Sequence, residues 1–572
     1  NTISSTYRKS LSRNSDLSYK FGLNEAPWSA IESTVNDSVN GGSAVMIISR
    51  NGGEYKDILV GSQYVSNTFI DEYNYLDLSI EEADVLTNLK RLKGDGKISN
   101  IILLINAANP VQFMHIRNDY DIDACAFIGM GGTMSFAQIA ELLTAQNDDY
   151  LLSGHLMDTF VYSAQSAPAF ENYGNFTWTD YSNELPDLAQ ENKSENNTHN
   201  TKYVVYQEGI YVGYKYYETR YEDAVLGRGN ATSEKGVKAG NDNWSYKDEV
   251  AFPFGYGLSY TDFKYSDYKV VKGQDGNSYD VSLTIKNIGA LYSGKETLQV
   301  YLQKPYTAYD INNGIEKAAV ELVGFAKTKR LAPGEEQELT VTIDKEAFRT
   351  YDAYNKKTYI LEKGDYYIAA GTNAHDALNN ILAQKKKDGI NINSAMMDAM
   401  GNADLTYKVS ISNDDYEIFS VSKETGKKIT NQFDNADINL YEGTKDQKIT
   451  YLSRNDWKGT YPVSAGVQMK CLDSVMVKDM QYGSEIKAND GDKMPIYGKD
   501  SGLTLAMLKD YDYNDPIWNS LLNQMTLAEQ QWLTSYGLKF MAGATSVAAP
   551  GGLAHDGPVG IKIKNPGLNS QI

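Results

Sequence analysis

The chain has 572 residues, 41% of them hydrophobic and 22% charged, which is enough for several globular domains rather than one. A formal net charge of −20 argues against a nucleic-acid partner, whose phosphates demand a basic surface. No apolar run approaches the ~18 residues a membrane-spanning helix needs, and with only Cys125 and Cys471 and no H-x-x-x-H pair, neither a disulfide framework nor a metal site is expected.

The first stretch, 1–263, alternates buried strands with amphipathic helices. Residues 44–48 (Ala-Val-Met-Ile-Ile) read as a strand running into Arg50. Ser79-x-x-Glu82 is a capping box that opens a helix with Val85, Leu86, Leu89 and Leu92 on one face, stopped by Gly94. Residues 101–105 and 124–128 read as further strands, the last followed by a glycine-rich turn and a helix carrying Ile139, Leu142 and Leu143. Strand and helix in alternation predict a mainly parallel sheet with helices on both faces. Ligands of such folds sit beyond the carboxyl ends of the strands, where Arg50, Asn106 and residues 129–135 would lie.

From 264 to 375 the hydrophobic period changes to two: Tyr279, Val281, Leu283 and Ile285, then Leu298, Val300 and Leu302, then Leu339, Val341 and Ile343. With a turn at Pro333-Gly334, this predicts a β-sandwich. Residues 376–510, with Lys385-Lys386-Lys387 near their start, are expected to be a loose connector. The pattern from Trp518 to Leu533 is helical again, with Thr526-x-x-Glu529 near its middle, which predicts two short helices.

Several motifs carry a family resemblance. Asp121-Ile-Asp123, Ser153-Gly-His-Leu-Met-Asp158, the run from Glu208 to Tyr217 (EGIYVGYKYY) and the run from Phe252 to Tyr260 (FPFGYGLSY) resemble the accessory α/β sandwich domain of glycoside hydrolase family 3. Leu322-Val-Gly-Phe325 with Leu331-Ala-Pro-Gly-Glu335 is similar to that family's fibronectin type III-like domain. The run from Leu522 to Glu529, with Asp556-Gly-Pro-Val-Gly-Ile561, looks like the opening of its catalytic (β/α)8 barrel. The resemblance implies a multidomain chain: α/β domain (1–263), fibronectin type III-like β-sandwich (264–375), connector (376–510) and barrel opening (511–572). That order, with the α/β domain ahead of the barrel, resembles the family's reversed-order β-glucosidases, as does the run from Tyr451 to Gly459 (YLSRNDWKG).

By the same resemblance the reaction is retaining hydrolysis of a β-glycosidic bond. A barrel aspartate attacks the anomeric carbon, and a glutamate from the α/β domain serves as acid and base. The substrate is an oligosaccharide or β-glucoside, and no cofactor or metal is implied. The 62 residues from Tyr511 to Ile572 fall far short of the ~250 of a whole barrel, so the chain is expected to stop within the barrel and to lack the nucleophile. Asn455-Asp456-Trp457 mimics the nucleophile motif but precedes the barrel and is rejected. Met134 occupies the expected acid/base position, and methionine cannot transfer a proton. Glu54 and Glu208 are the carboxylates nearby, each read as structural.

Asp556 is the leading site residue. In the family the matching aspartate grips sugar hydroxyls, and the helix around Met525-Thr526 favours that role over an ordinary Asp-Gly-Pro turn. Arg50 either faces the same crevice or pairs with Glu54. The alternative to an enzyme is a non-catalytic sugar-binding or scaffold protein derived from one, and an extracellular or cell-surface location is favoured over a cytoplasmic one.

Overall fold

The computed structural model describes residues 25–39, 41–50, 75–129, 135–144, 152–172, 176–177, 202–203, 206–238, 240–431, 433, 439, 449–462, 491, 493–535 and 540–553. The chain divides into two compact units, one of residues 1–129 and 141–480, the other of residues 130–140 and 481–572.

The first unit opens with helix α1 (Trp28–Ser38), strand β1 (Ser43–Arg50), helix α2 (Ile80–Gly94), strand β2 (Asn100–Ala107), helix α3 (Met114–Asp119) and strand β3 (Ala124–Phe127). Strands β1, β2 and β3 pair in parallel in that order, in register Ile48↔Ile105 and Ile105↔Phe127. Ser79 caps α2 and Glu82 reaches back to complete the box. Val85, Leu86, Leu89 and Leu92 then pack with Met46, Ile48, Ile101, Leu103 and Ile105 of one sheet face. On the opposite face Val45 and Ile47 remain 49% and 38% exposed, so among the described residues α2 covers one face of β1 and no second helix buries the other. Helix α4 (Ser135–Thr144) lies where the Ile139, Leu142 and Leu143 pattern predicts it.

Helix α5 (Tyr214–Leu226) is buried nearly all round although it carries Glu218, Arg220, Glu222 and Asp223. Such a helix is tolerated only when its polar groups are satisfied internally. Arg220 shows how: Nε donates to the Ala231 carbonyl at 2.7 Å, and Nη1 to Tyr216 Oη at 2.6 Å and the Lys235 carbonyl at 2.7 Å.

The sandwich comprises β4 (Phe263–Lys272), β5 (Ser278–Asn287), β6 (Thr297–Gln303), helix α6 (Ala308–Asn313), β7 (Glu321–Lys327), β8 (Glu336–Asp344), β9 (Thr350–Asp352), β10 (Thr358–Leu361) and β11 (Gly364–Gly371). The predicted alternation holds: Tyr279, Val281, Leu283 and Ile285 meet Leu298, Val300, Leu302, Leu339, Val341 and Ile343 in one core. Gly334 turns the chain at φ +81°, a conformation that favours glycine, and the Glu335 amide closes on the Ala332 carbonyl at 2.9 Å.

The expected loose connector is structured at its start. Helix α7 (Ala374–Lys387), capped by Asn373, buries Ala377, Leu378, Ile381 and Leu382. Strand β12 (Thr406–Ile411) pairs with β11, and β13 (Asp415–Phe419) pairs with β10. The sheets are thus β7-β6-β11-β12, β8-β5-β4 and β9-β10-β13. The lysine run that suggested a linker is the last turn of α7, where cations meet the negative end of the helix dipole.

Helices α5 and α7 share a core with Tyr301, Tyr367 and Ala369, so hydrophobic packing continues across both expected boundaries, at 263 and at 375. Within it His375 stacks on Tyr246 with ring centroids 3.9 Å apart. Its Nδ1 lies 2.8 Å from Glu218, and its Nε2 lies 3.5 Å from Asp398. Burial alone would lower the imidazole's pKa, but Glu218 and Asp398 outweigh it and raise it to about 9. A raised folded-state value means that this contribution to stability is complete below the unfolded value of ~6.5 and is lost as pH rises through about 9. Between pH 6 and pH 10 the wild-type chain should therefore lose ~3 kcal/mol more stability than His375→Gln, as read by thermal melting at both pH values.

The second unit contains helices α8 (Ile517–Gln524) and α9 (Leu527–Ser535), the two short helices expected, and an antiparallel strand pair, β14 (Phe540–Met541) with β15 (Gly552–Leu553). Leu508, Leu521, Met525, Ala544 and Val547 form its small core.

Candidate functional site

The carboxyl ends of β1 and β2 gather the polar groups that the α/β pattern predicts for a site. Arg50 ends β1 with its guanidinium buried, and its partner is Glu82, at 2.8 and 2.7 Å. Nε donates to the Tyr75 carbonyl at 2.8 Å, Nη1 also to the Ser49 carbonyl at 2.8 Å, and Nη2 also to the Asp77 carbonyl. A guanidinium has five N–H donors, and these contacts engage all of them. Arg50 is therefore a brace that ties β1 to the start of α2, and a sugar hydroxyl finds no donor left on it. Arg50 is thus buried rather than at the surface, and Glu54, its alternative partner, lies outside the described residues. The pairing with Glu82 follows from the capping box, because the same carboxylate that closes on the Ser79 amide faces the end of β1.

Beside this brace, Asp77 and His115 form a pair that sequence reasoning missed. His115 Nδ1 lies 2.9 Å from Asp77 Oδ2; the aspartate is fully buried and the imidazole 27% exposed. Burial pushes the Asp77 carboxyl up, against the opposing pull of His115 and of the Leu78 amide at 2.8 Å. The two residues are 38 positions apart in no recognisable spacing, so nothing in the sequence joins them.

Asn106 is half-buried near the end of β2, and Gly129 follows β3 with φ +60°. Met134 and Asp556 lie outside the described residues. Glu208 is buried, 3% exposed.

Asp456, rejected as a nucleophile from its position, is a turn residue. Its Oδ1 accepts from the Gly459 amide and from Asn230 Nδ2, each at 3.0 Å, and the Gly459 contact leads in holding its carboxyl below the usual range. Among the described residues, no group of His, Cys, Asp and Glu is arranged to hold a metal ion.

In the second unit Glu529 does more than cap α9. Besides its exchange with Thr526, it accepts from Ser546 Oγ at 2.5 Å and from the Ser546 amide at 3.0 Å. Those Ser546 contacts lead in lowering its carboxyl to about 2. This staples the 544–549 turn to the helix, a few residues ahead of Asp556.

The sandwich declares its class directly: a family model described as fibronectin type III-like domain matches residues 296–374. The wider chain is similar to β-glucosidases. It is 29% identical to the β-glucosidase of Ruminococcus albus over 369 residues, covering 63% of this chain and 30% of that protein. It is 28% identical to thermostable β-glucosidase B of Acetivibrio thermocellus over 314 residues, covering 53% of this chain and 33% of that protein. Among solved structures, β-glucosidase 3B of Thermotoga neapolitana in complex with glucose shares 24% identity over 72% of this chain and 43% of that one, at a TM-score of 0.46. The chain spans about a third of the length of the curated relatives it matches. It is thus a multidomain chain with a fibronectin type III-like domain, similar to β-glucosidases over more than half of its length.

Proposed function

We propose that this chain supplies the accessory α/β domain, the fibronectin type III-like sandwich and the barrel opening of a retaining β-glucosidase of reversed domain order. One observation carries the reading: similarity to the Ruminococcus albus β-glucosidase runs over 369 residues, far beyond the matched sandwich alone. The substrate is then a β-glucoside or oligosaccharide. Asp556, which follows the Glu529-stapled 544–549 turn in the sequence, grips its hydroxyls, and an aspartate further along a complete barrel attacks the anomeric carbon. With only the barrel opening after Tyr511, these 572 residues by themselves are expected to show no turnover of aryl β-glucosides, β-xylosides or β-N-acetylglucosaminides between pH 4 and 9. Turnover at enzyme-like rates that a substitution within this chain abolishes would overturn that part of the reading.

Met134 favours a second reading, a non-catalytic carbohydrate-binding or scaffold protein, because the family's proton donor is missing from its expected place. Sequencing the encoding DNA past the Ile572 codon separates the two. An open frame with an Asp-Trp nucleophile motif supports the enzyme, and a stop codon supports the scaffold.

A further inference from the structure

Residues 451–461 are built unlike a connector. Internal bonds order the segment: the Ser453 amide donates to Thr460 Oγ1 at 2.9 Å, Thr460 Oγ1 donates to the Asp456 carbonyl at 2.7 Å, and the Gly459 amide donates to Asp456 at 3.0 Å. A loop closed on itself in this way turns Arg454, Trp457 and Tyr461 outward, and all three are buried against other parts of the unit. Arg454 donates to Asp223 at 2.6 and 3.1 Å, to Glu222 at 2.9 Å and to the Lys317 carbonyl at 3.1 Å. Trp457 is fully buried beside Tyr211 and Tyr216; its indole N–H donates to Asp223 at 2.9 Å and its amide to the Gly229 carbonyl at 2.7 Å.

The receiving surface is shaped to this segment. Gly229 has φ +59°, and a Cβ there would stand 2.1 Å from the Arg454 carbonyl oxygen. A Cβ on Gly236 would stand 2.5 Å from Tyr461 Oη. The buried Glu222–Asp223 pair requires cations, and Arg454 supplies one while Lys385 of α7 supplies the other at 2.6 Å. Arginine, tryptophan and tyrosine are the residues that dominate protein–peptide affinity, and here they enter one desolvated groove.

We infer that residues 451–461 are a peptide ligand carried in cis, and that the surface made by α5, Tyr211, Gly229, Gly236 and the Glu316–Lys317 segment is a binding site for an Arg-x-x-Trp-x-x-x-Tyr pattern. The ligand touches α5 and the sandwich together, so it clasps one to the other. In the intact chain the tether keeps the groove filled, since a linked partner outcompetes a free one by its effective concentration.

The test uses the full chain with protease sites inserted after Asp446 and after Met469. After cleavage the freed segment should co-elute with the remainder on gel filtration. A fluorescein-labelled synthetic peptide spanning 449–463 should exchange into the groove, giving saturable anisotropy, and should fail to bind the uncut chain. Labelled peptides carrying Arg454→Ala or Trp457→Ala should bind about a hundredfold more weakly. If the segment departs and the labelled peptide does not bind while the remainder keeps its melting profile, the groove is no binding site and the inference falls. Unfolding of the remainder on cleavage overturns it equally, because the segment would then be part of the core and not its ligand.

Discussion

Replacing Arg454 by alanine is expected to destabilise the first unit by ~3–5 kcal/mol, the usual cost of removing one partner from a buried ion pair. Arg454, Glu222 and Asp223 are each no more than 4% exposed, so water cannot take the place of the lost guanidinium. Glu222 keeps Lys385, which together with Arg454 holds its carboxyl down to about 2 against burial. Among the described residues Asp223 keeps the Trp457 indole as a side-chain donor, and burial already raises its carboxyl despite Arg454. Protonation of Asp223 is therefore the least costly response, and the variant should recover more of its stability at acid pH than the wild type does. Thermal melting at pH 5 and pH 8 checks both the size and the sign. Arg454→Lys should rescue incompletely, since an ammonium cannot reproduce the forked contact with Asp223 and Glu222. A fall of less than about 1 kcal/mol would mean that the pair is solvated in solution.

The second large effect belongs to the proposed function. In a chain with a complete barrel, Asp556→Ala should lower kcat/KM on β-glucosides about a hundredfold or more. The change removes two acceptors from sugar hydroxyls, each charge-assisted bond being worth ~1.5–3 kcal/mol, so a loss of roughly 3–5 kcal/mol in transition-state stabilisation follows. The melting temperature should move by only a few degrees, because the Asp556-Gly557-Pro558 sequence favours a turn, where a substitution spares the core. Full activity combined with a much lower melting temperature would make Asp556 a structural turn residue.

Much of the fold is legible because local rules suffice for it. Ser79-x-x-Glu82 announces α2, and the alternation from Tyr279 to Ile285 announces a half-buried strand. The pattern misleads on β6. Gln299, Tyr301 and Gln303 alternate with its apolar residues, yet all are buried. Gln299 donates to the Gly255 and Thr372 carbonyls at 3.0 and 2.7 Å, and Gln303 to Glu222 and the Ala319 carbonyl at 2.9 and 2.7 Å. Alternation cannot tell a solvated polar group from one satisfied inside the protein. Helix α7 fails differently: Ala377, Leu378, Ile381 and Leu382 had helical spacing behind Asn373, and the lysine run after them drew the reading toward a linker. At the candidate site the limit is pairing. Arg50 with Glu82 and Asp77 with His115 are separated by 32 and 38 positions, and only the folded chain brings them together.

Strand β6 serves two interiors, sending Leu298, Val300 and Leu302 into the sandwich and Tyr301 into the core shared with α5 and α7. A sandwich excised at 263 and 375 for use as a spacer in another polypeptide would carry Tyr301, Tyr367 and Ala369 into water as an adhesive stripe. The transferable module is wider than the repeat its strands advertise. A graft that is to remain monodisperse must bring α5 before it and α7 after it, and the grafted piece then carries the Glu222–Asp223 pair and its demand for an arginine.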